Sequence, residues 1–245
     1  MIQLSKKQKT ILLSAFGLLV VGVVFFFIWA LNAAPAEENR AKAVTTDSGL
    51  IYHETPEVIT LISSTRQKQK GILMYPGARV QAAAYMAPYA DFVKSTGVAL
   101  IIVKPVLNLA IFDLRSPDRF MRTLPQVTQW YVAGHSLGGV KACSVVLSDP
   151  QAYAGLILLG SYCPNRIDDS IAVLSITGSE DGLSTPEKIK KNAAKLPEKT
   201  TFVEIQGMTH AQFGDYGDQS GDGVSAISQK EAWQDMKEAL TEFMY

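Results

Sequence analysis

Ser136, Asp181 and His210 follow one another along the chain as a nucleophile, an acid and a base. A serine hydroxyl is a weak nucleophile near neutral pH. It needs a base to take its proton and a third group to orient that base. Ser136 lies in Gly134-His135-Ser136-Leu137-Gly138, between the short apolar run Trp130–Ala133 and a helical pattern from Gly139 to Leu147 that closes at Asp149-Pro150. The bare G-x-S-x-G pattern is weak; strand, tight turn and helix around it make the frame of a nucleophile elbow. The glycines leave room for a sharp turn that lifts the hydroxyl above the sheet edge. The helix that follows points its free N–H groups at the reaction site. Such a serine performs acyl transfer through a covalent acyl-enzyme.

The partners of a serine in an open parallel sheet come from loops at the carboxyl ends of strands. The predicted strand Ala172–Thr177 ends in Gly178-Ser179-Glu180-Asp181-Gly182, and Thr201–Ile205 ends in Gln206-Gly207-Met208-Thr209-His210. His210 is the base candidate by position and by elimination. His53 lies far upstream, and His135 is locked in the elbow, where the neighbour of a nucleophile points away and packs. Asp181 is preferred to Glu180 as the acid, because the tight turn allowed by Gly182 can carry its carboxylate toward His210. An oxyanion needs two preorganised N–H donors. Leu137 N–H supplies one, and the loop Pro76-Gly77-Ala78-Arg79 supplies the other through Ala78 N–H.

Short apolar runs alternate with helical patterns, which predicts a mostly parallel α/β sheet with helices on both faces. The strands are Gly71–Tyr75, Val98–Val103, Trp130–Ala133, Gly155–Leu159, Ala172–Thr177 and Thr201–Ile205, nearly continuous in apolar residues as doubly buried strands are. Gly49–Ser63 alternates and predicts an antiparallel hairpin at the edge. Ser116-Pro117 and Thr185-Pro186-Glu187 read as helix starts, and Ser228-x-x-Glu231 as the capping box of a last helix with Trp233, Met236, Leu240 and Phe243 on one face. Residues 160–171 leave no room for a cap domain, so the site is expected to be open and lined by Ala78, Arg79, Asn108, Phe112 and Tyr162. Arg79 is either a substrate-carboxylate ligand or a surface arginine.

The chain has 245 residues with 23 basic and 23 acidic side chains, a balance that makes no case for nucleic-acid binding. Ile11 to Leu31 carries no charge. At about 1.5 Å per residue this run spans about 30 Å, the thickness of a bilayer core. Residues 1–10, with Lys6, Lys7 and Lys9, read as a cytoplasmic basic segment, 11–31 as an uncleaved transmembrane anchor, 32–46 as a linker and 47–245 as one extracytoplasmic domain. The alternative is a signal peptide cleaved near Ala34-Pro35-Ala36, which the length of the apolar run disfavours. Cys143 and Cys163 are expected as buried, unpaired thiols, with a disulfide as the other possibility if the domain is exported. No metal-ligand spacing and no cofactor motif appears. Gly214–Gly223 places Asp215, Asp218 and Asp222 in a glycine-rich loop without the EF-hand order of ligands, and reads as a flexible loop at the pocket entrance.

From about Gly71 onward the chain resembles the α/β-hydrolase superfamily, through Pro76-Gly77-Ala78, Gly134-His135-Ser136-Leu137-Gly138-Gly139, Gly178-Ser179-Glu180-Asp181 and Gly207-Met208-Thr209-His210. Val103-Lys104-Pro105-x-x-Asn108-Leu109-Ala110-Ile111-Phe112 and His210-Ala211-Gln212-Phe213-Gly214-Asp215-Tyr216-Gly217 resemble, more narrowly, a compact bacterial branch of dienelactone-hydrolase-like and carboxylesterase-like proteins. The resemblance implies a Ser136–His210–Asp181 triad that hydrolyses a small-molecule ester or related acyl bond. One departure is Pro76-Gly77 where many members carry His-Gly; the backbone donor survives it, but a role for that histidine side chain does not. An acyltransferase using the same triad, a tethered binding protein on the same fold and a peptidase are the alternative functions.

Overall fold

The computed structural model describes residues 5–245. The first four residues of the basic segment lie outside them. Helix α1 (Lys6–Leu31) starts with a capping box between Ser5 and Gln8. Every residue of α1 from Ile11 to Trp29 is exposed, and Ala30 near its end is buried. It is long and apolar enough to cross a membrane.

The segment expected as a linker instead contains a helix, α2 (Glu38–Thr45). The Glu37 carboxylate accepts from the N–H groups of Asn39 and Arg40 and so caps it. Val44 is buried in the core with Ala41 packed beside it. A helix this short shows no apolar periodicity, so its sequence reads as a connection.

Strands β1 (Leu50–Glu54) and β2 (Val58–Ser63) form the predicted edge hairpin. Strand β3 (Lys70–Tyr75), helix α3 (Met86–Thr96), strand β4 (Ala99–Val103) and the short helix α4 (Pro117–Met121) follow. Strand β5 (Gln129–His135) leads through Ser136 into helix α5 (Leu137–Ser148). Strands β6 (Gly155–Leu159) and β7 (Ala172–Gly178), helix α6 (Pro186–Asn192), strand β8 (Thr201–Ile205) and helix α7 (Gln229–Met244) complete the described elements. Among the described residues the sheet has eight strands in the order β1-β2-β4-β3-β5-β6-β7-β8, parallel from β4 to β8.

Side chains alternate across a strand. Ile72 and Met74 of β3 therefore face one core, with Met86, Phe92, Met236 and Leu240 from α3 and α7. Leu73 and Tyr75 face the other, with Ala142 and Val146 of α5 and Phe120 of α4. Thr185 and Ser228 cap their helices as predicted, whereas Ser116 precedes α4 without a side-chain cap bond. Trp233, Met236, Leu240 and Phe243 all pack on the sheet side of α7.

Cys143 and Cys163, expected as free thiols, form a disulfide with their Cα atoms 5.7 Å apart. Parallel pairing puts β6 beside β5, so the loop leaving β6 crosses α5 at the level of Cys143.

Candidate active site

β5 ends at His135 and α5 begins at Leu137, so one residue must make the whole turn. That residue is Ser136, held at φ 53 and ψ −123, a conformation unfavourable for any residue with a Cβ. Its neighbours make the strain possible. A Cβ on Gly134 would run into the Gly138 carbonyl, and one on Gly138 into the Tyr75 carbonyl. Ser136 N–H donates to Leu159 O at 3.0 Å, and the Ser161 hydroxyl donates to Ser136 O at 2.7 Å. Both backbone polar groups of the serine are thus fixed by the end of β6 and the loop after it.

Asp181 and His210 leave the ends of β7 and β8 and meet in the interior, Asp181 Oδ2 lying 2.7 Å from His210 Nδ1. Both are buried. The other carboxylate oxygen, Oδ1, accepts from Leu183 N–H at 2.9 Å and Ser184 N–H at 2.6 Å. With Oδ1 taken up by these backbone donors, Oδ2 is left to accept from the imidazole, which places the ring proton on Nδ1. Nε2 is then the free lone pair of the ring. It is buried without a protein partner, and among the described residues Ser136 Oγ makes no hydrogen bond to it. Such contacts tighten when substrate arrives. Gly160, at φ 49, presses bare backbone against the pair; a Cβ there would stand 2.9 Å from Asp181 Oδ2 and 3.1 Å from His210 Nδ1.

Asp222 braces this pair, a role that its glycine-rich loop did not announce in the sequence. Its Oδ1 accepts from His210 N–H at 3.1 Å, Gly182 N–H at 3.1 Å and Gly223 N–H at 2.8 Å, while Oδ2 accepts from Ala211 N–H at 2.7 Å. One carboxylate therefore ties the Asp181 loop to the His210 loop. Asp215 is equally engaged, receiving Arg40 of α2 through Nε at 2.7 Å and Nη2 at 2.6 Å. The loop expected as flexible is anchored at both carboxylates, because each faces N–H donors that only the folded chain assembles. Among the described residues no cluster of His, Cys, Asp or Glu has the makings of a metal site.

His135 is buried, as expected of the nucleophile's neighbour, but it packs inside the site. Its ring centroid lies 4.4 Å from that of His210 and 5.3 Å from that of Phe213. Gly77 N–H donates to the Tyr85 hydroxyl at 2.9 Å, so the Tyr85 proton is left to bond His135 Nδ1 at 2.8 Å. This relay joins the Pro76–Arg79 loop to the elbow. Burial, and then the nearby His210, hold the His135 pKa well below its ordinary value, so this ring stays neutral.

The N–H groups of Leu137 and Ala78 meet no protein acceptor among the described residues. The expected substrate-lining side chains of Arg79, Asn108, Phe112 and Tyr162 leave the carboxyl ends of β3, β4 and β6. Arg79 sends Nη2 to Asn32 O at 2.6 Å and lies over the Trp29 ring at 4.8 Å. Asn108 Nδ2 donates to Ala30 O at 3.3 Å, and the Phe112 ring stands 6.2 Å from that of Phe26. Three of the four thus turn to the end of α1, a contact that apolar patterning within the domain does not announce. Tyr162 is exposed, one residue before the disulfide.

With this fold and this elbow on view, the class of protein is settled by comparison. The chain belongs to the alpha/beta hydrolase family, whose model matches residues 71–234. No curated protein matches it. Among solved structures it is similar to an alpha-beta serine hydrolase homologue from Coxiella burnetii, at 14% identity and a TM-score of 0.57 over 82% of this chain and 99% of that one. Est1E from Butyrivibrio proteoclasticus, with ferulic acid bound, is similar at 14% identity and a TM-score of 0.57 over 79% and 99% of the two chains. Naproxen esterase from Bacillus subtilis is similar at 10% identity and a TM-score of 0.54 over 84% and 95%. At such identities the likeness is one of fold.

Proposed function

We propose that the chain is a membrane-anchored serine hydrolase that cleaves a carboxylic ester through an acyl-enzyme. The observation that carries this reading is the Asp181–His210 pair, closed at 2.7 Å and delivered by strand-end loops to the same sheet edge as the elbow serine. Ser136 Oγ attacks the acyl carbon while His210 Nε2 takes the hydroxyl proton. The carbonyl electron pair moves onto oxygen, where Leu137 N–H and Ala78 N–H receive it. Asp181 stabilises the imidazolium. His210 then gives its proton to the departing alcohol oxygen as the C–O bond breaks. Water repeats the sequence on the acyl-enzyme and frees Ser136. The relative in fold from Bacillus subtilis, named as an esterase, supports the ester as the bond attacked.

The uncharged run of α1 from Ile11 to Leu31 and the lysines in its first turns support an uncleaved anchor with its N-terminus in the cytoplasm. The Cys143–Cys163 disulfide supports an oxidising, extracytoplasmic side for the domain.

The test is hydrolysis of p-nitrophenyl esters from acetate to palmitate by the full chain, with and without an added acceptor alcohol. Free acid as the main product, lost in Ser136→Ala, is the expected result. Acyl transfer to the alcohol in preference to water would make the protein a transferase, and a folded chain without turnover would leave the binding-protein reading.

A further inference from the structure

The end of α1 is built into the mouth of the candidate site. Asn32 O and Ala30 O accept from Arg79 and Asn108, and Ala34 N–H donates to Arg79 O at 2.6 Å while Gln81 N–H donates to Ala34 O at 3.0 Å. Arg79 N–H in turn donates to Asn108 O at 2.8 Å. Arg79, Leu107 and Asn108 all hold positive φ, near 57, 57 and 53. Strained backbone persists only where its surroundings over-determine it. The two loops beside Ala78 and the end of α1 are therefore one fixed assembly, and the domain does not swing freely on a tether.

The same assembly exposes apolar side chains. Leu114 is 92% exposed, Val106 50%, Phe112 49% and Ile111 40%, all in the loop that leaves the carboxyl end of β4. Exposed apolar residues scattered singly are ordinary; four within one loop, beside an apolar helix, are a patch. The contact of Phe112 with Phe26 gives its depth. Phe26 lies about 8 Å along the helix axis from Leu31, at about 1.5 Å per residue. Apolar surfaces held in a membrane interface reach about 5–10 Å deep.

We infer that the apolar loop 106–114 is a membrane-contact surface, lying in the leaflet that α1 leaves and holding the site mouth against it. The substrate class this fits is an amphiphilic ester dissolved in that leaflet, its acyl carbon presented to Ser136 from the membrane side. The inference rests on the anchored-hydrolase reading above.

The test uses the full chain in vesicles of phosphatidylethanolamine and phosphatidylglycerol. Leu114→Cys, and Lys199→Cys in the turn before β8 at the opposite end of the sheet, each carry an environment-sensitive fluorophore. A lipid-borne nitroxide is expected to quench the label at 114 at least about threefold more than that at 199. Equal quenching, with iodide reaching both from water, overturns the membrane-contact surface. The intact mass of the same sample separates the failures: a chain cut near Ala36 sinks the anchor and this inference with it. In a second arm, the Ile111→Asn/Leu114→Asn double variant should keep its rate on p-nitrophenyl acetate and lose about tenfold on a long-chain ester dissolved in the vesicles. A fall on both esters alike, or on neither, contradicts the substrate class. Should no ester turn over, the hydrolase reading fails while the quenching still decides the surface.

Discussion

Two imidazoles lie against each other in this site, and they have opposite duties. In the proposed mechanism His210 accepts a proton, and a second cation 4.4 Å away would resist that step. Burial keeps His135 neutral and removes the conflict. The cost appears in acid. An unfolded His135 takes its proton near the ordinary 6.5, the folded one only well below it. Stability is therefore full above that pH and drains as the pH falls beneath it. His135→Gln should lose less: between about pH 7 and about pH 5, denaturant titration should show the wild type losing up to about 2 kcal/mol more than the variant. Asp222 carries the other prediction at this scale. Asp222→Ala frees the N–H groups of His210, Ala211 and Gly182, so kcat per titrated active site should fall between about tenfold and a hundredfold with KM held within about twofold. Asp222→Asn, which keeps one acceptor oxygen, should fall between. A loss of Tm with kcat per titrated site unchanged would reduce Asp222 to a structural residue. Ser136, Asp181 and His210 stood out in the sequence because loop position and chain order constrain them. Asp222 did not, since an aspartate in a glycine-rich loop looks the same whether it braces a site or faces water.

At the scale of elements, the elbow is secured from two sides. Ser161 holds the Ser136 carbonyl from the loop after β6, and two residues on Cys163 fastens that loop to α5. The bond closes a separation of 20 residues, for which chain entropy gives about 3 kcal/mol. Cys143→Ala/Cys163→Ala should lower unfolding free energy by about that amount. An unchanged denaturation midpoint would show the pair to be reduced in the working protein. The parallel strands were legible because a strand buried on both faces must be apolar throughout, and the hairpin because a half-covered edge alternates. Helix α2 was not legible. Its placement depends on Arg40 meeting Asp215, far along the chain, and on Val44 finding the core. The disulfide was missed for the same reason: two cysteines acquire a distance only once β6 is known to lie beside β5.

For the whole molecule, the fold brings a possible nucleophile, a base, an acid and the end of an apolar helix to one edge of one sheet. The apolar run of α1 could be read directly from the sequence, but its contact with Arg79, Asn108 and Phe112 could not, because long-range docking leaves no local pattern. The central claim is that Ser136 is the acylated residue. The most direct measurement treats the full chain with a fluorophosphonate probe and maps the adduct by mass spectrometry. The account predicts one adduct, on Ser136, absent from Ser136→Ala and formed at least about a hundredfold more slowly in His210→Ala. A folded wild-type chain that stays unlabelled, or an adduct on any other residue, would contradict it.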